Sequence, residues 1–457
     1  METQPTAWKH QKELVKHLLT RDAVAMNWEM GTGKTRAIID YIRESKSTRV
    51  LVVCPKSVIP VWAEELDTHG HAIGGADAAS LLTFSGEKNH RLFIRHPRNI
   101  TVINYEAVWR GPLASAIMTL RWDLVVWDEA HRLKSPRGKA SRFAARLRKR
   151  ADTVALLSGT MLPHSPLDAF GVYRAADPEL FGKTFTMFRA RYAVTDYKFP
   201  GIVRAWTNQD EMRAKLATIT QTVKKADVLK LPDQMHVRRY VELEPAARRI
   251  YDSVATQFWA EVDDGAIVAG NALTRLLRLQ QLTSGVAVTA DERLLRVDEG
   301  KNNALSDILD GLPDDEPVVV FSRFRADLAA VAQCAKSAAR EPLELSGRQN
   351  EYSTWKNERT GGEVLNAQIQ AGGVGVNLSR AAYCVYYSVG FSLSDFVQSL
   401  ARTHRAGQTR KVSYYHLLAR DTVDAKVYAA LAARKRVIDA VLGQRPALAG
   451  LTSGATK

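Results

Sequence analysis

Trp28-Glu29-Met30-Gly31-Thr32-Gly33-Lys34-Thr35 sets two glycines, a lysine and a hydroxyl residue at the start of an amphipathic run. Glycine accepts the positive φ that lets a short loop aim several backbone N–H groups at one anion. A helix opening at Lys34-Thr35 adds the positive end of its dipole. Met30, Gly31, Thr32, Gly33, Lys34 and Thr35 therefore read as a phosphate-binding loop, with Lys34 reaching the β- and γ-phosphates of ATP and Thr35 holding Mg²⁺. Trp28 stands where the eight-residue form of this pattern has glycine, so the match is to the shorter Gly-x-Gly-Lys-Thr form. Taken alone, the same residues would also suit a glycine-rich helix start with one exposed lysine.

Strands and helices alternate around this loop. Apolar runs at Ala23–Asn27, Arg49–Cys54, Ile100–Asn104, Leu124–Trp127 and Thr153–Leu157 are separated by helical periodicity at Thr35–Glu44 and Lys139–Arg148. That rhythm predicts an α/β fold with a mostly parallel sheet, whose ligands sit beyond the carboxyl ends of the strands. The candidate chemistry falls at those ends: Pro55-Lys56-Ser57, Tyr105, Asp128-Glu129-Ala130-His131 and Ser158-Gly159-Thr160. An acidic pair after a strand can divide its labour, Asp128 holding the metal and Glu129 orienting the attacking water, because phosphoryl transfer needs mainly positioning and charge neutralisation. Without the phosphate loop upstream, a helix N-cap would be the better reading of that pair. Ahead of the loop, the helical stretch from Trp8 carries Gln11, whose amide suits a two-pronged contact with an adenine edge or, equally, a solvated helix surface.

The chain has 457 residues, enough for two cores, with 46% hydrophobic and 25% charged residues. It shows neither an apolar run that would span a bilayer nor a signal-peptide layout at Met1–Trp8, so a cytoplasmic, DNA-associated protein without membrane contact is expected. Cys54, Cys334 and Cys384 lack paired spacing, which argues against a disulfide framework and against structural zinc. A net charge of +15 favours a polyanionic partner, nucleic acid above all. Nine Lys or Arg and no acid lie between Arg132 and Arg150, a run that suits either a solvated helix face or a rim touching phosphates.

Asp128-Glu129-Ala130-His131 with Arg132-Leu133-Lys134 resembles the DEAH-box motif of the Swi/Snf-type branch of the superfamily-two helicase-like ATPases. Ser158-Gly159-Thr160, then Pro178, Leu180-Phe181-Gly182 and Phe185, is similar to that branch's third motif and the segment after it. Met161 stands where the family usually has proline, and His164 where it often has asparagine. Thr222-Val223-Lys224-Lys225-Ala226-Asp227-Val228 with Leu231-Pro232 resembles the inter-lobe lead-in. Gly372-Gly373-Val374-Gly375-Val376-Asn377-Leu378 and Gln398–Gln408 resemble the fifth and sixth motifs.

The resemblance implies two RecA-like lobes. The first is expected over 1–235, with a helical insertion at about 165–230; a helical inter-lobe segment over 236–300 includes Pro245–Val262 and Leu273–Leu282. The second lobe is expected over 301–442, followed by a flexible tail over 443–457. Strand candidates in the second lobe are Val318–Ser322, Glu363–Ile369, Cys384–Tyr387 and Val412–Leu417, with helices at Arg325–Ala339 and Ser394–His404. Arg402 and Arg405, at i and i+3 on one helix face, become candidate fingers for the γ-phosphate in a site completed only on closure. Lys56, Tyr105, Arg323, Gly373 and Asn377 carry over as contacts to the nucleic-acid backbone.

The implied activity is an ATP- and Mg²⁺-dependent translocase on duplex or branched DNA, working as a monomer in a bacterial or phage-infected cell. A strand-separating helicase on DNA or RNA shares the same site chemistry, and a basic clamp that binds ATP without turnover is the reading from another class. Glu129 argues against the clamp, which needs no water-orienting carboxylate. No leftover segment is evident that would separate strands.

Overall fold

The computed structural model describes residues 7–69, 82–84, 100–199, 201–263, 269–288, 293–357, 361–369 and 376–442, with side chains for all but 82–84, 257–263 and 269–273. The chain divides into two compact units, the first running to Lys230 and taking in 436–442, the second running from Leu231 to Lys435.

The first unit holds strands β1 (Ala23–Trp28), β2 (Val50–Cys54), β3 (Leu82–Phe84), β4 (Ile100–Asn104), β5 (Trp122–Asp128), β6 (Ala151–Ser158), β7 (Ala193–Thr195), β8 (Val203–Trp206) and β9 (Thr220–Val223). Seven of them form one sheet in the order β3-β4-β2-β5-β6-β1-β9, with every pairing parallel. β1 and β2 are buried along their whole length, and only Asp152 of β6 is exposed. Continuous Val/Ile/Leu-rich runs of this kind are what a sheet covered on both faces requires. Helix Lys34–Glu44 buries every residue from Ala37 to Ile42, Asp40 included, whereas helix Lys9–Leu18 buries Gln11, Leu14, Val15 and Leu18, the spacing of a single face.

The second unit holds β10 (Gln234–Val241), β11 (Val286–Val288), β12 (Leu294–Arg296), β13 (Val318–Ser322), β14 (Pro342–Leu345), β15 (Val364–Gln368), β16 (Tyr383–Tyr386) and β17 (Val412–Ala419). Six make an all-parallel sheet in the order β10-β17-β16-β13-β15-β14. Its core gathers Val318, Val320, Val331, Val364, Val385 and Leu417.

Two expectations need correction. Residues 236–241, placed by the sequence inside a helical connector, belong to β10, which pairs with β17 over its full length; helices Pro245–Asp263 and Ala269–Thr283 follow it. The insertion at 165–230 is only partly helical. It contains helices Asp168–Tyr173, Phe185–Tyr192 and Gln209–Ala217, the antiparallel hairpin β7–β8, and β9 on the edge of the first sheet beside β1. Gly373 and the tail 443–457 lie outside the described residues.

Candidate active site

The phosphate loop leaves the end of β1 directly. Gly31 and Gly33 adopt φ of 83° and 78°, the left-handed region that favours glycine, and Gly33 caps the helix that begins at Lys34. Lys34 Nζ donates to the carbonyls of Trp28 at 2.9 Å and Glu29 at 3.3 Å. Burial lowers its pKa, while the charges of Glu129, Asp128 and Glu29 act to raise it, so the loop lysine is electrostatically tied to the acidic pair. Thr32 Oγ1 closes the loop by donating to Glu29 O at 2.7 Å. Met30 lies against Gly159, where an added Cβ would meet Met30 Cγ at 3.4 Å. Thr35 is half-buried in the first turn of the helix.

Gln11 comes to the loop, but not as an open adenine-reading amide. Its Nε2 donates to Gly33 O at 3.1 Å, and its Oε1 accepts from Trp8 N at 2.7 Å. With the residue 4% exposed, both ends of the amide must find partners within the protein, and they find backbone. His10 adds a second brace, its Nε2 lying 2.8 Å from Thr32 O.

The acidic pair terminates β5. Asp128 Oδ2 accepts from Trp62 Nε1 at 2.9 Å, and Oδ1 accepts from the backbone N of Glu129 at 2.9 Å. Glu129 itself sits at φ 53°, ψ 50°, a left-handed conformation without glycine that costs about 1–3 kcal/mol and is usually kept where it positions a working side chain. Burial and the charge of Glu129 push the Asp128 carboxyl up to about 6. Burial would raise Glu129 as well, but His131, Lys34 and Ser158 outweigh it and hold that carboxyl below its usual range. His131 Nδ1 lies 3.1 Å from Glu129 Oε2 and 3.1 Å from Ser158 Oγ, and Ser158 Oγ in turn receives the N–H of Thr160 at 3.1 Å. The third motif is thus joined to the Glu129 carboxylate through one hydroxyl and one imidazole. Met161 is fully buried, and His164 Nε2 meets Lys134 Nζ at 2.6 Å.

In the second unit, Arg402 lies buried near the end of helix Leu393–Thr403. Arg405 lies beyond that helix, in a turn where Gln408 N donates to Arg405 O at 3.0 Å. The two arginines therefore do not share a helix face: His404 adopts φ −93°, ψ 85°, which ends the helix between them. His404 is held by Pro232 O and Gln234 Nε2, each at 2.7 Å, and Gln408 Nε2 donates to the carbonyls of Ser379 and Ala381.

A family model described as the SNF2-related domain matches residues 10–285, more than half of the chain and all of the loop, acidic-pair and third-motif geometry above. The chain belongs to this family. Among curated relatives it is similar to an uncharacterized ATP-dependent helicase of Mycoplasma pneumoniae, at 23% identity over 91% of this chain and 40% of that protein. It is also similar to protein p41 of Acyrthosiphon pisum secondary endosymbiont phage 1, at 24% over 95% and 97%, and to Chromodomain-helicase-DNA-binding protein 1-like of Mus musculus, at 25% over 91% and 47%. The chain spans about 40% of the length of the two Mycoplasma helicases it matches. Among solved structures, the Sulfolobus solfataricus SWI2/SNF2 ATPase core in complex with dsDNA matches with a TM-score of 0.46 at 20% identity, covering 95% of this chain and 92% of that one.

The residues of this SNF2-related chain expected to touch nucleic acid fare unequally. Lys56 is exposed in the turn after β2, and Asn377 is exposed with its backbone pinned by Tyr352 OH. Arg323 is half-buried, its guanidinium bonded to Gln280 and lying over the Phe324 ring at 5.1 Å. Tyr105 is a correction. It is 3% exposed, and its hydroxyl donates to Asp128 O at 2.9 Å, so its ring packs among Trp127 and Arg132 and shapes the acidic turn from behind. In the basic run, helix Lys139–Leu147 buries Phe143, Ala144 and Leu147 and exposes Arg142 and Arg146. Arg148 is structural, donating to the carbonyls of Ala176 and Ala151 and pairing with Asp22. Trp62 and the Glu129–His131–Ser158 contacts escaped sequence reasoning. Only the two-residue spacing of Glu129 and His131 hinted at any of it.

Among the described residues no helix is long and apolar enough to cross a membrane, and no cluster of His, Cys, Asp and Glu could hold a metal on its own.

Proposed function

We propose that this SNF2-related chain hydrolyses ATP and uses the reaction to move along double-stranded or branched DNA. The observation that carries the hydrolytic half is Glu129, a buried carboxylate kept ionised by His131 and Ser158 and electrostatically coupled to the loop lysine. A site built only to bind nucleotide has no use for a carboxylate held at such backbone cost. Lys34 would exchange its two carbonyl partners for phosphate oxygens, and the glycine-formed loop would offer N–H groups at a helix N-terminus. Thr35 and Asp128 offer only oxygen donors, which suits Mg²⁺, and each Asp128 oxygen keeps a lone pair beyond the bond it already accepts. When bound, the ion would neutralise phosphate charge. Arg402 and Arg405 are proposed to engage the transferred phosphoryl group, a role worth about 10³–10⁵ in rate where it is established.

Support for DNA comes from the +15 charge, from the exposed arginines of helix Lys139–Leu147 and from the DNA-binding name of the mouse relative. The phage protein p41, matched over 97% of its length, supports a bacterial or phage setting.

The test measures ATPase rate with no polymer, single-stranded DNA, duplex DNA, branched DNA and RNA, followed by triplex displacement and fork unwinding. Duplex-stimulated hydrolysis with ATP-dependent triplex displacement is the expected result. Robust fork unwinding without triplex displacement would favour a strand-separating helicase, and ATP binding without hydrolysis would favour a clamp.

A further inference from the structure

The hairpin β7–β8 stands apart from both large sheets as a two-stranded ribbon of its own. Its tip is organised by Asp196. Oδ1 of that residue accepts from the backbone N of Lys198 and of Phe199, both at 2.9 Å, and Oδ2 accepts from Arg204 Nε at 2.7 Å. Asp196 N donates to Ile202 O at 2.9 Å, and Ile202 N donates to Phe199 O at 2.8 Å. The base is fastened by Thr207 N to Tyr192 O at 3.1 Å and by Asn208 Nδ2 to Arg191 O at 2.8 Å. On this hydrogen-bonded tip Tyr197 is 96% exposed and Phe199 50% exposed.

Scattered exposed apolar residues are ordinary. Two aromatic rings presented by a pre-organised turn are different, because the turn fixes them in water and no burial on the described surface repays it. The segment they sit in is basic: Lys183, Arg189, Arg191, Lys198 and Arg204 lie within Lys183–Trp206 against one acid, Asp196; Arg204 is paired with Asp196 and Arg191 with Glu211, which leaves the charges of Lys183, Arg189 and Lys198, the last lying between the two rings in sequence. Aromatic faces set among cations match unpaired nucleic-acid bases, which offer a π-face and a phosphate together. The interior of a duplex offers no open face for stacking, whereas a junction does.

We propose that the hairpin tip, through Tyr197 and Phe199, stacks on unpaired bases where single strand meets duplex, giving this chain a preference for branched DNA over plain duplex. The inference rests on the DNA reading above. It also identifies a strand-engaging element inside a segment that the sequence marked as helical.

The experiment compares blunt duplex, forked duplex of equal length and single strand, binding the full chain, its Tyr197→Ala, Phe199→Ala and double variants, and Tyr197→Trp. A 2-aminopurine at the first unpaired position reports stacking by quenching. Removing one stacked ring should weaken fork binding by about 5- to 150-fold. Duplex binding should stay within about twofold, junction quenching should disappear, and Tyr197→Trp should keep both affinity and quenching. Equal weakening on fork and duplex, or unchanged fork binding and quenching, would overturn the hairpin role while leaving the DNA reading intact. Failure of the unaltered chain to bind either the forked or the blunt duplex would overturn that reading, and with it this inference.

Discussion

Gly33→Ala should cripple the phosphate loop, and most of the damage should be traceable to Gln11. Two costs can be separated. A residue with a Cβ held at φ 78° carries a left-handed penalty of about 1–2 kcal/mol. The new Cβ would also lie 2.1 Å from Gln11 Nε2 and 3.3 Å from its Cδ, so the amide must move. Moving it breaks the bonds to Gly33 O and from Trp8 N inside a site where Gln11 is 4% exposed, and stripping a buried polar group of its partners costs about 1–3 kcal/mol. The sum is about 2–5 kcal/mol. The assay is a double-mutant cycle on nucleotide affinity and thermal melting with the parent, Gly33→Ala, Gln11→Ala and the pair. Removing the Gln11 side chain relieves the clash but not the backbone penalty, so the double variant should be better than additive by about 1–3 kcal/mol. An additive cycle would refute the steric argument and leave Gln11 free for a role on the nucleotide.

Lys34→Ala should abolish hydrolysis and weaken ATP binding, whereas Glu129→Gln should bind ATP and stall; single-turnover hydrolysis by Glu129→Gln at the parent rate would remove Glu129 from the reaction. Asp128 has its pKa raised to about 6, so its charged form is lost as pH falls through that value. Magnesium-dependent nucleotide affinity should accordingly decline below about pH 6 rather than near 4, and the decline should move to lower pH at higher magnesium because ion and proton compete; a titration insensitive to pH between 7 and 5 counts against Asp128 as the ligand. Changing Arg142 and Arg146 to Ala should flatten the slope of log affinity against log salt by about 0.9 for each duplex phosphate that the protein no longer neutralises; an unaltered slope leaves that helix face merely solvated. Ala at Arg402 or Arg405 should lower DNA-stimulated turnover far more than ATP affinity, and a drop of only a few-fold would exclude that residue as a finger.

How legible the fold was depended on where a strand lies in its sheet. Every interior strand of both sheets, β4, β2, β5, β6 and β1 in one and β17, β16, β13 and β15 in the other, corresponds to an apolar run visible in the sequence. The four edge strands, β3, β9, β10 and β14, do not. A strand covered on both faces and both sides is mainly apolar, and the run announces itself. β10, reading Gln-Met-His-Val-Arg-Arg-Tyr-Val, is half exposed and charged, so nothing local separates it from a connector. The domain boundary was misplaced for the same reason: β10 begins the second sheet well before the first apolar run of that unit.

The site divides along a related line. Lys34, Thr35, Asp128 and Glu129, the residues proposed for hydrolysis, are legible because phosphoryl transfer asks for those groups at those spacings, whatever surrounds them. Their positioning partners are not, because a hydrogen-bond donor to a carboxylate can be almost any polar residue on almost any element. Asp128 takes an indole from Trp62, 66 residues upstream, and its backbone carbonyl takes the hydroxyl of Tyr105, a residue whose motif pointed toward nucleic acid. Folding brings β2, β4 and β5 side by side, so that the segments following these strands converge on one acidic turn. Tyr105 is thereby tied to the turn proposed for hydrolysis. Tyr105→Phe deletes only the hydroxyl, so it should leave the salt dependence of DNA binding unchanged while lowering hydrolysis, through a Glu129 turn deprived of one of the bonds bracing its left-handed backbone. The opposite pattern, weakened DNA binding with normal hydrolysis, would restore Tyr105 to the polymer track and require the ring to leave its buried seat.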